Sequence, residues 1–262
     1  MNRLDVKTYL AYVLTSIKSA LALRESFILQ SFFMMLSNVI FFSFWWIYFN
    51  NFQSIKGWTL KDMACLYGIV SGSYGIFCVF FGSARFIARM IYEGDLDAFM
   101  IKPRNLLLQV IGVRSISAGW GDIISGLIMI LLSGYATFSK LLLILTMLFS
   151  STCIILAFSI SMGSLSFWIG DAHAISKQLF EFLLTFSNYP KSIYFGGVKF
   201  LLLSLIPSGF IGYMPVEVIR DFDFGKFLVV ISAALVYLLI AKKLFYLGLK
   251  RYASGNKIGF RI

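Results

Sequence analysis

No charged side chain occurs between Ser26 and Ile55, or between Met63 and Ala84. Leu141 to Gly170 is equally free of charge, and Ser115 to Ser139 holds only Asp122. Crossing the hydrocarbon core of a bilayer takes roughly 20 apolar residues in a helix. Lipid offers a backbone amide no partner, so such runs must satisfy their hydrogen bonds internally, as helices. Two further runs, Phe200 to Val216 and Phe227 to Ala241, continue the pattern. The reading is an all-α membrane protein with six transmembrane helices, roughly over 28–49, 62–82, 116–136, 143–168, 199–215 and 227–247. Composition agrees: 13% of residues are charged, against about a quarter in soluble domains. The whole chain, 1–262, reads as one transmembrane domain.

Basic residues follow the loops. With a cytoplasmic N-terminus, Arg3, Lys7, Lys18 and Arg24 lie inside, as do Arg85, Arg89, Lys102, Arg104 and Arg114 of the second loop. Lys177, Lys191 and Lys199 of the fourth loop join them, with Lys242, Lys243, Lys250, Arg251, Lys257 and Arg261 at the C-terminal end. Only Lys56, Lys61, Lys140, Arg220 and Lys226 fall outside. Excess Lys and Arg mark cytoplasmic loops, so both termini are expected in the cytoplasm. The net charge of +11 is spread by loop and not gathered in one patch, which excludes a nucleic-acid partner. It suits anionic membrane lipids at the inner face.

Residues 1–25 form a basic amphipathic segment. Val6, Leu10, Val13, Leu14, Ile17 and Leu21 share one helical face, which predicts a helix lying in the inner interface; the alternative is a helix packed on a partner. No secretory cleavage site is visible there, so the first span is expected to act as an uncleaved insertion signal. Trp45, Trp46 and Trp58 cluster at the opposite boundary as interfacial anchors. The second span carries Gly68 and Gly72 as a GxxxG, a spacing that lets helices approach closely.

The loop over 83–114 is the longest cytoplasmic connection. A helix is predicted from Ala84 to Tyr92, broken at Gly94, with Asp95 capping a short helix over Leu96 to Ile101 and Pro103 ending it. Glu93, Asp95 and Asp97 form an acidic cluster beside Lys102 and Arg104; an ordinary solvated loop is the alternative. After the fourth span, Asp171 to Pro190 is amphipathic and either lies along the inner face or lengthens the fifth span. That span holds Pro207, Gly209, Gly212 and Pro215, which points to a broken or re-entrant helix.

Catalytic chemistry is not visible. One His with no carboxylates clustered about it, and three Cys within spans, provide no metal spacing. No phosphate loop, G-x-S-x-G or HExxH occurs, so the chain is read as a non-enzyme that binds no cofactor. Asp122 is the best intramembrane candidate, either a polar contact or proton site in a pathway, or a hydrated residue near the inner interface paired with Arg114. An ion-coupled secondary transporter or channel would want several such charges or a repeated half.

The run YEGDLDAFMIKPRNLLLQ, residues 92–109, resembles the cytoplasmic connection of type-2 ABC exporter permeases, with Gly94, Asp95, Leu96, Asp97, Lys102 and Pro103 at the matching steps. LIPSGFIGYMPVEVI, 205–219, is similar to that family's two-proline segment, and GLKRYASGN, 248–256, to its closing motif, with Ala253 where an acidic or amide residue is common. The resemblance implies a bacterial cytoplasmic-membrane permease subunit that exports drugs, cationic toxicants or lipid-like compounds. It implies a separate ABC ATPase carrying ATP and Mg, and a second permease, identical or a sister. Glu93, Gly94, Asp95, Leu96, Asp97, Phe99 and Pro103 are then the expected ATPase-coupling residues. Asp122, Pro207 and Pro215 are expected along the pathway or its external gate.

Overall fold

The computed structural model describes residues 3–52, 54–190, 197 and 205–253. Those residues are almost wholly helical; the isolated bridge between Ile55 and Trp58 is the one β-type pairing among them. In chain order the helices are α1 (Arg3–Ala22), α2 (Arg24–Asn51), α3 (Leu60–Phe81), α4 (Ile87–Glu93), α5 (Asp97–Met100), α6 (Leu106–Gly112) and α7 (Ala118–Leu132). Then follow α8 (Leu141–Ser164), α9 (Ser166–Ile169), α10 (His173–Ser187), α11 (Ser208–Ile211), α12 (Tyr213–Arg220) and α13 (Phe224–Leu249). A 3-10 turn over Gly82–Phe86 joins α3 to α4. Four stretches are long and apolar enough to cross a membrane: Arg24–Asn51, Leu60–Glu93, Phe138–Ile169 and Phe224–Leu249. α7 is shorter and equally apolar.

α3 is the axis of the bundle. A capping box opens it: the Thr59 side chain accepts from the Asp62 backbone, and Asp62 accepts from the Thr59 backbone at 2.9 Å. Most of its length is buried between α7, α8 and α2. α7 lies closest, because Gly68, Gly72 and Gly75 face Gly119 and Gly126 and the two backbones touch. In lipid, where hydrophobic association between helices is lost, such small-residue contacts supply the packing. α13 packs along α8. α2 keeps Ile28, Phe32, Ile40 and Ile47 exposed, an apolar surface suited to lipid or to another membrane helix.

Of the expected fifth span over 199–215, the described part is a broken helix, as its Pro and Gly residues predict. Residues 205–215 do not form one continuous helix; they hold α11 and the start of α12, bent at Gly212. A side chain at Gly212 would collide with the Ser187 carbonyl at the end of α10. The Ser151 hydroxyl donates to the Ile211 carbonyl at 3.0 Å, satisfying a backbone group freed by the break. Residues 198–204 lie outside the described residues. The regular helix of this region is α10, which packs on α8 and α11. Its Glu181 reaches across to Arg85 at 3.0 Å.

The N-terminal end of α3, the C-terminal end of α12 and the α7–α8 connection are tied together by polar contacts. Asp62 accepts from the Tyr135 hydroxyl at 2.7 Å and lies 3.7 Å from Arg220. The Lys140 ammonium donates to the Ile219 carbonyl at 2.6 Å, placing a cation at the C-terminal end of α12, where the helix dipole favours it. Trp58, expected at the interface, is instead buried beneath the Arg220 guanidinium, and Trp45 is buried as well; Trp46 remains exposed.

α1 carries its apolar residues as expected, with Leu10, Leu14 and Leu21 exposed. Its opposite face is anchored to the end of α3 and to the connection that follows it. The Tyr9 hydroxyl donates to the Phe80 carbonyl at 2.9 Å, Ser16 accepts from the Ser115 backbone at 2.7 Å, and Lys102 donates to the Tyr12 hydroxyl at 2.9 Å.

Candidate functional site

The loop between α3 and α7 is a folded element. Gly94 adopts φ +81°, which an L side chain rarely reaches, and ends α4. The Gly94 N–H donates to the Ile91 carbonyl and the Asp95 N–H to the Met90 carbonyl at 2.9 Å, the paired bonds of a Schellman motif. Asp95 therefore does not cap the next helix: its backbone closes α4, its side chain is exposed, and α5 begins at Asp97 with no side-chain cap. Asn105 caps a helix that the sequence reading omitted, α6, accepting from the Leu108 backbone at 3.1 Å. α6 then packs under α1.

Leu96 is fully buried and serves as the peg that seats the turn. Phe99 packs partly against the same core. Glu93 pairs with Arg89 at 3.2 Å, one helical turn away. Asp97 lies beside the Tyr252 hydroxyl; burial, then the Asp97 carboxylate, pushes that hydroxyl's pKa well above its ordinary value, so Tyr252 stays neutral. The ring of Tyr252 meets Phe167 edge-on at 6.1 Å. The closing motif thus touches the element through Tyr252, while its residues 254–256 lie outside the described residues. What remains exposed is Tyr92, Asp95, Ala98, Met100, Ile101, Lys102, Pro103 and Arg104. Ile101 is 82% exposed. An apolar tip flanked by one acid and two bases suits a protein groove better than bulk water. Tyr92, Met100 and Ile101 escaped the sequence reading, because a four-residue helix is too short to display a period.

Replacing Leu96 with alanine is expected to cost about 2–5 kcal/mol, the usual range for a buried leucine. The check is thermal unfolding of the purified chain, which should shift down while an Asp95→Ala variant stays near wild type.

A second cluster lies inside the bundle. The Asn38 amide of α2 donates to Asp122 Oδ1 and to Ser125 Oγ, both at 2.8 Å. Ser71 of α3 donates to the Asp122 carbonyl at 2.9 Å. Asp122 is 2% exposed and Arg114 stacks over Phe86 at 4.9 Å, so the expected pairing of these two residues does not form. Asn38 and Ser71 sit near the middle of α2 and α3. Ser71 is about 15 Å along α3 from Phe81 at the helical rise, a depth comparable to half the hydrocarbon core. Asp122 therefore lies deep in the bundle.

Two cavities lie between α2 and α10, the smaller also against α3. One, of about 600 Å³, is lined by Gln30, Arg85, Arg114, His173 and Lys177. Another, of about 160 Å³, is lined by Asn38, Tyr67, Tyr74 and Asp122. Arg85 stands beside both, donating to the Tyr74 hydroxyl at 2.6 Å and to Glu181. Pro207 and Pro215 are buried in the α11–α12 segment. Pro215 sits in the first turn of α12, where proline removes no helical hydrogen bond. Among the described residues no group of three His, Cys, Asp or Glu is placed to hold a metal.

A family model described as ABC-2 family transporter protein matches residues 11–255. The chain belongs to the ABC-2 transporter family. Comparison with curated proteins finds no match, and comparison with solved structures finds none. As an ABC-2 permease the chain is a multi-pass membrane protein, and membership implies association with an ABC ATPase. The family match covers the permease's 83–114 loop, the Asp122 cluster and the α11–α12 segment alike.

Proposed function

We propose that this permease is the membrane half of an ATP-driven exporter and docks on its separate ATPase through the element over 82–104. The observation that carries the reading is an exposed tip at Asp95, Met100 and Ile101 standing on a rigid base of Leu96, Tyr252 and the α4 Schellman turn. α7 and α10 serve as the third and fifth of six spans. Both termini and the 82–104 element then share the cytoplasmic side, and the basic excess stays inside. ATP and Mg belong to the partner.

Movement of the tip would pass through α4 into α8 and α9, which it packs against. It would also pass through Arg85 and Glu181 into α10. ATP must bind one arrangement with a better free energy than the other for this to drive a cycle. The exposed apolar face of α2 fits a second permease, a copy or a sister, with the α2–α3–α10 groove between the halves as the path. Pro207 and Pro215 shape its outer gate. The aromatic walls of the smaller cavity, Phe41, Tyr67 and Tyr74, suit lipophilic substrates.

The test is purification of the chain from its native membrane in mild detergent. A soluble ATPase is expected at near-equal stoichiometry, its ATP hydrolysis faster in the complex than alone. A chain that purifies without any ATPase, yet transports when reconstituted, belongs to the ion-coupled class instead.

A further inference from the structure

We propose that the larger cavity, of about 600 Å³, is a binding site for an organic phosphomonoester. Its place on the inner side of the membrane rests on the permease reading; its binding chemistry does not. Arg85, Arg114, His173 and Lys177 line the cavity, and no carboxylate does. Arg85 is committed, since it donates to Glu181 at 3.0 Å and to the Tyr74 hydroxyl. Arg114 and Lys177 belong to none of the ion pairs among the described residues. Asp171, two residues before His173, accepts from the His173 backbone amide at 3.2 Å. A cleft lined by charge of one sign focuses its field and concentrates the opposite ion.

Two helix N-termini strengthen that field. α7 opens on the cavity at Ser115 to Ser117, and α10 at His173 and Ser176. Neither helix has a side-chain cap or an acid in its first turn. Hydroxyls add uncommitted donors. Ser159 of α8 is 4% exposed and lines the cavity. Ser161 and Ser164 of the same helix bond back to the Ala157 and Ile160 carbonyls, whereas Ser159 makes no hydrogen bond to the described residues. The Ser115 hydroxyl is likewise buried without a partner. A phosphomonoester carries about −1.5 to −2 charges and three strong acceptor oxygens, which matches two free cations and these donors better than a monoanion does. Phe86, Ile116 and Phe180 give the esterified organic group an apolar wall. The volume falls within the roughly 300–1,000 Å³ of small-molecule sites.

The experiment uses the full chain in phosphatidylcholine nanodiscs and two probes that differ only at the head: 1-naphthyl phosphate and its neutral dimethyl ester. Equilibrium dialysis, read by naphthyl fluorescence, gives binding above empty nanodiscs. The wild type is expected to bind the phosphate about a hundredfold more tightly than the ester, the scale of two charge-assisted contacts. Arg114→Gln and Lys177→Gln are each expected to weaken the phosphate about tenfold; both side chains are exposed, so the fold should survive. Equal affinity for the two probes in the wild type overturns the proposal, as does phosphate affinity unchanged in the double variant.

A second measurement needs no variant. Phenylglyoxal is expected to modify Arg114 in the wild type, and 1-naphthyl phosphate, not the dimethyl ester, to protect it. Modification that the phosphate leaves unchanged also overturns the proposal. A lipid headgroup and a soluble ester present the same phosphate, and two further nanodiscs separate them, one with phosphatidic acid and one with an equal fraction of phosphatidylglycerol. Probe affinity at least tenfold lower with phosphatidic acid assigns the site to a lipid phosphomonoester; equal affinity in the two assigns it to a soluble one. No ATPase takes part, so failure of these tests and failure of the permease reading are distinguishable.

Discussion

Leucine in place of Gly126 is expected to prevent the protein from accumulating in folded form. A Cβ at Gly126 would lie 2.5 Å from the Gly72 nitrogen and 2.7 Å from its Cα. Those are backbone atoms of α3, so no side chain can turn aside. The neighbouring positions allow no shift either: a Cβ at Gly75 would lie 2.6 Å from the Gly119 carbonyl. Forcing α3 and α7 apart would also separate Ser71 from Asp122 and Ser125, breaking the polar cluster between the helices. Extra methylenes in a well-packed core cost about 1–3 kcal/mol where neighbours can adjust; here the loss should exceed that range. Size-exclusion chromatography of a fluorescent fusion in mild detergent checks it. The monodisperse peak is expected to vanish for Gly126→Leu and to shrink for Gly126→Ala. A full peak for Gly126→Leu would contradict the close packing of α3 on α7.

The second large effect is expected at the tip of the 82–104 element. Asp95→Lys together with Ile101→Glu should leave the permease inserted and folded, because both side chains are exposed. ATPase association should fall by about thirtyfold or more, the loss that follows when a 2 kcal/mol hot spot is removed. Reversing one charge also opposes the approach of a partner shaped for the original sign. Asp97 makes a poorer target, since its carboxylate sits against Tyr252 and its loss would disturb the element itself. Co-purification of the ATPase with each variant checks the expectation, with the chain's own detergent elution profile as the control for folding.

The sequence announces most of this architecture because lipid leaves a helix few alternatives. α2, α3, α8 and α13 coincide with uncharged runs, each satisfying its own backbone. The sequence leaves the 171–190 segment open, either along the inner face or lengthening the fifth span, for an electrostatic reason. α10 carries Lys177 and Glu181 and so looks unlike a membrane run, yet Glu181 is matched by Arg85 from another element. In 205–215 the break that the Pro and Gly residues predict falls at Gly212, where the Ser187 carbonyl presses against the chain.

The site was legible at its punctuation and obscure in its details. Gly94 and Pro103 mark the element, since a left-handed residue and a missing amide leave local signs. Which residues face outward depends on tertiary packing: Leu96 is drawn into the core and Ile101 is left in the open. Asp122 was difficult for a related reason. Its distance from the end of an apolar run said little about depth, which is set by its neighbours Asn38 and Ser71 on other helices.

The measurement that tests the account most directly is site-specific photo-crosslinking in native membranes, with a photoreactive residue placed at Ile101 or at Phe138. Both positions are exposed, Ile101 at 82% and Phe138 at 96%, and they belong to loops assigned to opposite sides of the membrane. The account predicts a crosslink from Ile101 to a soluble ATPase and none from Phe138. Crosslinking to the ATPase from Phe138, or none from Ile101 while the complex still assembles, would contradict the assignment of the 82–104 element as the docking surface.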